Sequence, residues 1–140
     1  MAQEPGVDDR PRLLLIDDCV ALRDLYELVL EREFDVLTAT RGAEGAALAR
    51  DLQPDAIVLD VAMPGMDGWE TCAQIKCHDS TAHIPVILLT GADDRDLAQH
   101  ATAVGASALL RKPCQADRLR DTILATLSAQ PQPNGRPASR

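Results

Sequence analysis

Asp55-Ala56-Ile57-Val58-Leu59-Asp60-Val61-Ala62-Met63-Pro64-Gly65-Met66-Asp67-Gly68 is the stretch that decides the fold. Ala56 to Leu59 run without a polar interruption. That run is too short for a helix and reads as a strand buried on both faces. It ends on a carboxylate, Asp60, after which Pro64, Gly65 and Gly68 force the chain out of the sheet in a tight loop. A buried strand that delivers an acid to its C-terminal end, beneath a constrained loop, is how an open parallel sheet builds a reactive site.

The same grammar recurs on both sides. Upstream, residues 13–16 are a buried strand that ends in Asp17-Asp18. Residues 19–32 change to helical spacing, with Ala21, Leu25, Leu28 and Val29 as the expected apolar stripe and Asp18 as a candidate cap. Residues 34–39 are a short strand, and residues 41–52 a helix whose end is forced by Pro54. Downstream, a helix is predicted from Asp67 to about residue 78, and a strand over residues 84–89 that leads into Thr90-Gly91. A weakly apolar helix over residues 93–104 is stopped by Gly105. Residues 108–110 are a last short strand before Lys112-Pro113, whose peptide bond is expected to be cis. The final helix spans about residues 115–127, with Leu119, Ile123 and Leu127 on one stripe.

Strands alternating with helices over short connections imply a parallel sheet covered on both faces. Residues 11–128 form one domain on this reading, preceded by a flexible arm (1–10) and followed by a disordered, Pro-rich tail (129–140). In a parallel sheet all C-terminal strand ends share one edge. Asp17-Asp18, Asp60, Thr90 and Lys112 therefore converge.

Composition narrows what they converge to do. Phe34, Tyr26 and Trp69 are the only aromatic residues, so the core is aliphatic. A net charge of −8 argues against a nucleic-acid-binding surface, which needs clustered Lys and Arg. No apolar run approaches the roughly 18 residues of a membrane span, and the N-terminus lacks the basic and apolar regions of a signal peptide, so a cytoplasmic location is expected. Cys19, Cys72, Cys77 and Cys114 form no Cys-x-x-Cys pair and read as reduced thiols, with a redox role for Cys19 or Cys114, both beside the site, as the alternative. His78, His83 and His100 lack metal spacing and read as surface residues, and Trp69 reads as a packing residue.

Three carboxylates brought together repel, and a hard divalent cation such as Mg²⁺ offsets that charge with oxygen ligands. Lys112 adds a cation on a flexible stem, and Thr90 a hydroxyl donor. A phosphoryl group set among these is matched in charge on every side, and a carboxylate can itself accept it as an acyl phosphate.

Four segments together make the chain resemble the receiver domains of two-component response regulators. They are Leu14-Leu15-Ile16-Asp17-Asp18, the stretch from Asp60 to Gly68, Pro85-Val86-Ile87-Leu88-Leu89-Thr90-Gly91-Ala92, and the stretch from Gly105 to Pro113. The resemblance implies a flavodoxin-like, doubly wound five-stranded parallel sheet of order 2-1-3-4-5 with five helices. It implies that Asp60 takes a phosphoryl group from a phosphohistidine of a sensor histidine kinase or histidine phosphotransfer protein. Asp18, Asp60 and the backbone carbonyl of Ala62 would ligate Mg²⁺, with Asp17 acting mainly through water. Lys112 would pair with the phosphoryl oxygens, and Thr90 would move to hydrogen-bond one of them. The product would switch protein–protein contacts, as a monomer or a phosphorylation-dependent dimer.

Two positions depart from the family pattern. Leu109 stands three residues before the lysine, where receivers mostly carry an aromatic ring that swings inward with the Thr. Gly91 replaces the commoner Ala and widens the approach to the site. Two other readings of the acids stay open. A Mg²⁺-dependent aspartyl-phosphate phosphohydrolase would want an acid two residues after the nucleophile, where Ala62 stands. A receiver-like scaffold that only binds partners would not need the intact set of Asp17, Asp18, Asp60, Thr90 and Lys112.

Overall fold

Five strands, β1 (Arg12–Ile16), β2 (Asp35–Ala39), β3 (Ala56–Asp60), β4 (Val86–Thr90) and β5 (Ala108–Arg111), make one parallel sheet in the order β2-β1-β3-β4-β5. The computed structural model describes residues 9–61, 67–91, 97–112 and 114–129. The arm up to residue 8 and the tail from residue 130 lie outside the described residues, as do residues 62–66, 92–96 and 113. The helices are α1 (Val20–Leu30), α2 (Gly42–Leu52), α3 (Gly68–Cys77), α4 (Leu97–Ala103) and α5 (Ala116–Ala129). Expected and observed elements agree in type and order. The last helix reaches Ala129, which the sequence reading assigns to the tail.

Strand periodicity divides the core in two. Along β1, Leu14 and Ile16 face a layer that holds Ala46 and Ala49 of α2, Cys72 and Ile75 of α3 and Ala101 of α4. Leu13 and Leu15 face the opposite layer, with Tyr26 and Leu30 of α1 and Leu119 and Ile123 of α5. The sheet is thus a double-sided apolar slab, which is why β1, β3 and β4 read as continuous apolar runs. Small residues let the helices come close: a Cβ at Gly45 would collide with the Ile16 side chain.

Two local expectations are corrected. Helix α1 buries Tyr26 and Leu30, with Leu22 packed beside them, and leaves Leu25 52% and Leu28 62% exposed. The stripe named from spacing is the outer one; outside the polar arc of Arg23, Asp24 and Glu27 the apolar arc of α1 is wide enough for two stripes, so phase alone did not choose its buried side. Asp18 does not cap α1 either. Cys19 is the N-cap residue and makes no side-chain cap bond, and its N–H instead donates to Asp17 Oδ1 at 2.9 Å. Asp67 does cap α3, accepting from the Glu70 N–H at 2.9 Å. Gly105, at φ +85°, closes α4 in the left-handed region where glycine is cheap.

Candidate functional site

The strand order reverses beside β1, and the C-terminal ends of β1 and β3 open there onto one edge. Asp17 follows β1, Asp60 ends β3, Thr90 ends β4 and Lys112 follows β5. All four side chains belong to that edge. Backbone bonds hold the ends in step: Asp17 N–H donates to Ala39 O at 3.1 Å, Val61 N–H to Leu89 O at 2.8 Å and Lys112 N–H to Thr90 O at 2.7 Å.

Asp17, Asp18 and Asp60 each bring a carboxylate oxygen to within 4.8 Å of the others. Asp17 and Asp60 are buried, whereas Asp18 is exposed at the rim. Lys112 closes the pocket, its Nζ 3.0 Å from Asp60 Oδ1 and 3.8 Å from Asp17 Oδ2. Thr90 is buried at the adjacent strand end. Burial pushes the Asp17 carboxyl above its ordinary value of 3.8, and the Asp60 charge adds to this. The Cys19 N–H and the Lys112 ammonium act in the opposite sense.

Among the described residues, the buried Asp17 Oδ2 has no hydrogen-bond partner. An orphaned carboxylate oxygen is costly. Here it stands among two further carboxylates, an all-oxygen donor set suited to a hard divalent cation that keeps several waters. The residues present therefore fit Mg²⁺. The Ala62 carbonyl, expected as a further ligand, lies outside the described residues, as does the Lys112-Pro113 bond.

Gly68 shows how closely the scaffold meets the reactive strand. A Cβ there would lie 2.5 Å from both Asp60 O and Val61 Cα, and Gly68 N–H donates to Val61 O at 2.8 Å. Only a residue without a side chain lets α3 start on the Asp60 backbone. At Gly91 an added Cβ would meet open space. Leu109 is half-buried and packs on the α2–α3–α4 side of the sheet. Sequence reasoning missed two contributors from α1. Arg23 Nη1 donates to Asp17 O at 2.9 Å, and Tyr26 OH donates to Cys114 O at 2.8 Å. Only the helix phase that α1 left ambiguous could have pointed to them.

The thiols of Cys19, Cys72, Cys77 and Cys114 are all free; Cys72 and Cys114 are buried. His78 and His83 are exposed. His100 is exposed too, but its ring stacks on Trp69. Among the described residues, no helix is long and apolar enough to cross a membrane.

Residues 13–124 match the family model described as the response regulator receiver domain. Protein PilH of Pseudomonas aeruginosa is 35% identical over 120 residues, covering 84% of this chain and 98% of that protein. The DNA-binding dual master transcriptional regulator RpaA of a Synechocystis strain is 37% identical over 118 residues; the chain spans 49% of its length. The chemotaxis protein CheY4 of Vibrio cholerae superposes with a TM-score of 0.78 at 28% identity, covering 84% of this chain and 98% of that one. The five-stranded parallel order, the acid pocket on its C-terminal edge and these matches lead to one conclusion: the chain belongs to the response regulator receiver domain family.

Proposed function

We propose that Asp60 is the phosphoryl acceptor of this receiver domain and that Asp17, Asp18, Thr90 and Lys112 serve it. The observation that carries the reading is the Lys112 ammonium 3.0 Å from Asp60 Oδ1, inside a pocket of three converging carboxylates. Lys112 neutralises one charge of three. The surplus negative charge is what a divalent cation would remove. Mg²⁺, when bound, supplies charge neutralisation for the carboxylates and the incoming phosphoryl oxygens; Asp18, Asp60, Asp17 and the Ala62 carbonyl would hold it.

In the transfer, an Asp60 carboxylate oxygen attacks the phosphorus of a phosphohistidine. The new O–P bond forms as the P–N bond breaks, and the imidazole nitrogen leaves with the electron pair. Lys112 stays beside the acceptor and exchanges its carboxylate contact for the phosphoryl oxygens. The Thr90 hydroxyl then gains an anionic acceptor at the next strand end. These steps ask the protein for position and charge. The chain catalyses only its own phosphorylation and dephosphorylation, in the cytoplasm, and turns over no separate substrate.

The donor has a surface to meet. Leu25 and Leu28, three residues apart, leave an exposed apolar face on α1, and Val20, also exposed, opens that helix two residues after Asp18. A histidine-bearing helical partner seated there would bring its phosphoryl group to the pocket rim. Purified protein incubated with Mg²⁺ and a panel of radiolabelled sensor kinases and phosphotransfer proteins tests the reading. Label should pass to the wild type from at least one donor, and to Asp60→Asn from none. Label on both proteins would remove Asp60 from the role.

A further inference from the structure

Tyr26 is the only tyrosine of the chain, and it is 1% exposed beneath the acid pocket. Its surroundings are apolar: Leu13, Leu15, Leu30, Phe34 and Leu119 belong to the same layer. A phenol in such a layer costs free energy unless its hydroxyl finds a partner, and a phenylalanine would fill nearly the same space. The hydroxyl reaches from α1 past the end of β5 and donates to Cys114 O at 2.8 Å, 88 residues away in sequence.

Cys114 lies two residues beyond Lys112. Before the lysine side chain, the chain is tied to β4 through Lys112 N–H and Thr90 O. After it, the chain is tied to α1 through Tyr26. Between those ties the ammonium spans Asp60 and Asp17. One turn earlier on the same helix, Arg23 holds the Asp17 carbonyl. Helix α1 thus holds both the Asp17 carbonyl and the Cys114 carbonyl, two residues past the lysine.

We propose that Tyr26 is a positioning residue for phosphorylation, holding the chain at Cys114 so that the ammonium of Lys112 stands at Asp60 in register with Asp17. The proposal rests on the acceptor role of Asp60 given above.

The test compares wild type, Tyr26→Phe, Lys112→Ala and the double variant, with Mg²⁺ and acetyl phosphate as the small acyl-phosphate donor. Tyr26→Phe should slow phosphorylation about three- to tenfold, the scale of one buried hydrogen bond, without changing the Mg²⁺ concentration for half-maximal effect. In the Lys112→Ala background the same change should add less than about twofold, since the residue acts through the lysine. Equal factors in both backgrounds would reduce Tyr26 to a structural residue and overturn the proposal.

A second readout needs neither phosphorylation nor loss of packing. Because Tyr26 is the sole tyrosine, 3-fluorotyrosine labels that position alone. Its ¹⁹F resonance in the metal-free protein should move in Lys112→Ala. An unmoved resonance would overturn the proposal even if wild type takes no phosphoryl group, whereas a moved one without phosphorylation would fault only the acceptor reading.

Discussion

Trp69 lies flat against His100, with ring centroids 3.9 Å apart and planes 11° from parallel. The stack joins the first turn of α3 to α4. Gly68, one residue before the indole, is pressed onto the Asp60 backbone. The only tryptophan of the chain therefore sits between the reactive strand end and the short helix α4. His100→Ala uncovers one face of the indole. Its emission maximum should move to longer wavelength, with a stability loss of about 0.5–1.5 kcal/mol for the lost ring pair. Unchanged emission would mean that the stack does not persist in solution.

Asp17→Asn should stabilise the metal-free fold. The buried carboxyl has its pKa raised chiefly by desolvation, so the folded state holds the proton more tightly than the unfolded chain. That contribution is fully present below the unfolded value near 3.8 and is lost as pH rises through the folded value. At neutral pH the ionised side chain is a cost. Asn keeps the acceptor for Cys19 N–H and removes the charge. A gain on the order of 1 kcal/mol in chelator is expected, shrinking in excess Mg²⁺. Thermal melts in both buffers check it. No gain in chelator would mean that the Asp17 charge is already compensated.

How much of this could be read from residues alone differs by element. Asp60, Thr90 and Lys112 were legible because each ends or follows a strand, and parallel topology puts such ends together. The different fates of Asp17 and Asp18 were not. Both follow the same strand, and it is the burial of Asp17, with its Oδ1 held by the Cys19 N–H, that shows which one turns inward. The buried face of α1 was missed because Ala21, Leu22, Leu25, Tyr26, Leu28, Val29 and Leu30 offer two competing stripes. The Tyr26–Cys114 bond and the Trp69–His100 stack join distant segments, and no local periodicity encodes them.

The exposed side of α1 makes its own prediction. Leu28→Glu places a charge on an apolar face without disturbing the core, since Leu28 is 62% exposed. Transfer from a cognate kinase should fall at least about tenfold, as for a lost interface anchor, while phosphorylation by a small acyl phosphate stays within about twofold. Equal transfer from the kinase would put the docking surface elsewhere.

Leu109 should give a muted switch. It is already half-buried against the α2–α3–α4 layer, and only a fraction of the about 1.5–3 kcal/mol of a full leucine burial can change between two rotamers. A bias of about 1 kcal/mol shifts a two-state equilibrium only about five-fold. Amide shifts induced by an acyl-phosphate mimic should therefore be larger at Gly91 than at Leu109 and along Leu119 to Leu127. Comparable shifts in all three places would make Leu109 a full switch residue.

The acceptor role of Asp60 is tested most directly by intact mass. Wild type and Asp60→Asn are each incubated with a small acyl phosphate, with Mg²⁺ and with chelator. The wild type should gain the mass of one phosphoryl group, about 80 Da, in Mg²⁺ and little in chelator, through an acyl phosphate on the carboxylate. Asp60→Asn should gain none. Equal labelling of the two proteins, or labelling indifferent to Mg²⁺, would contradict the account.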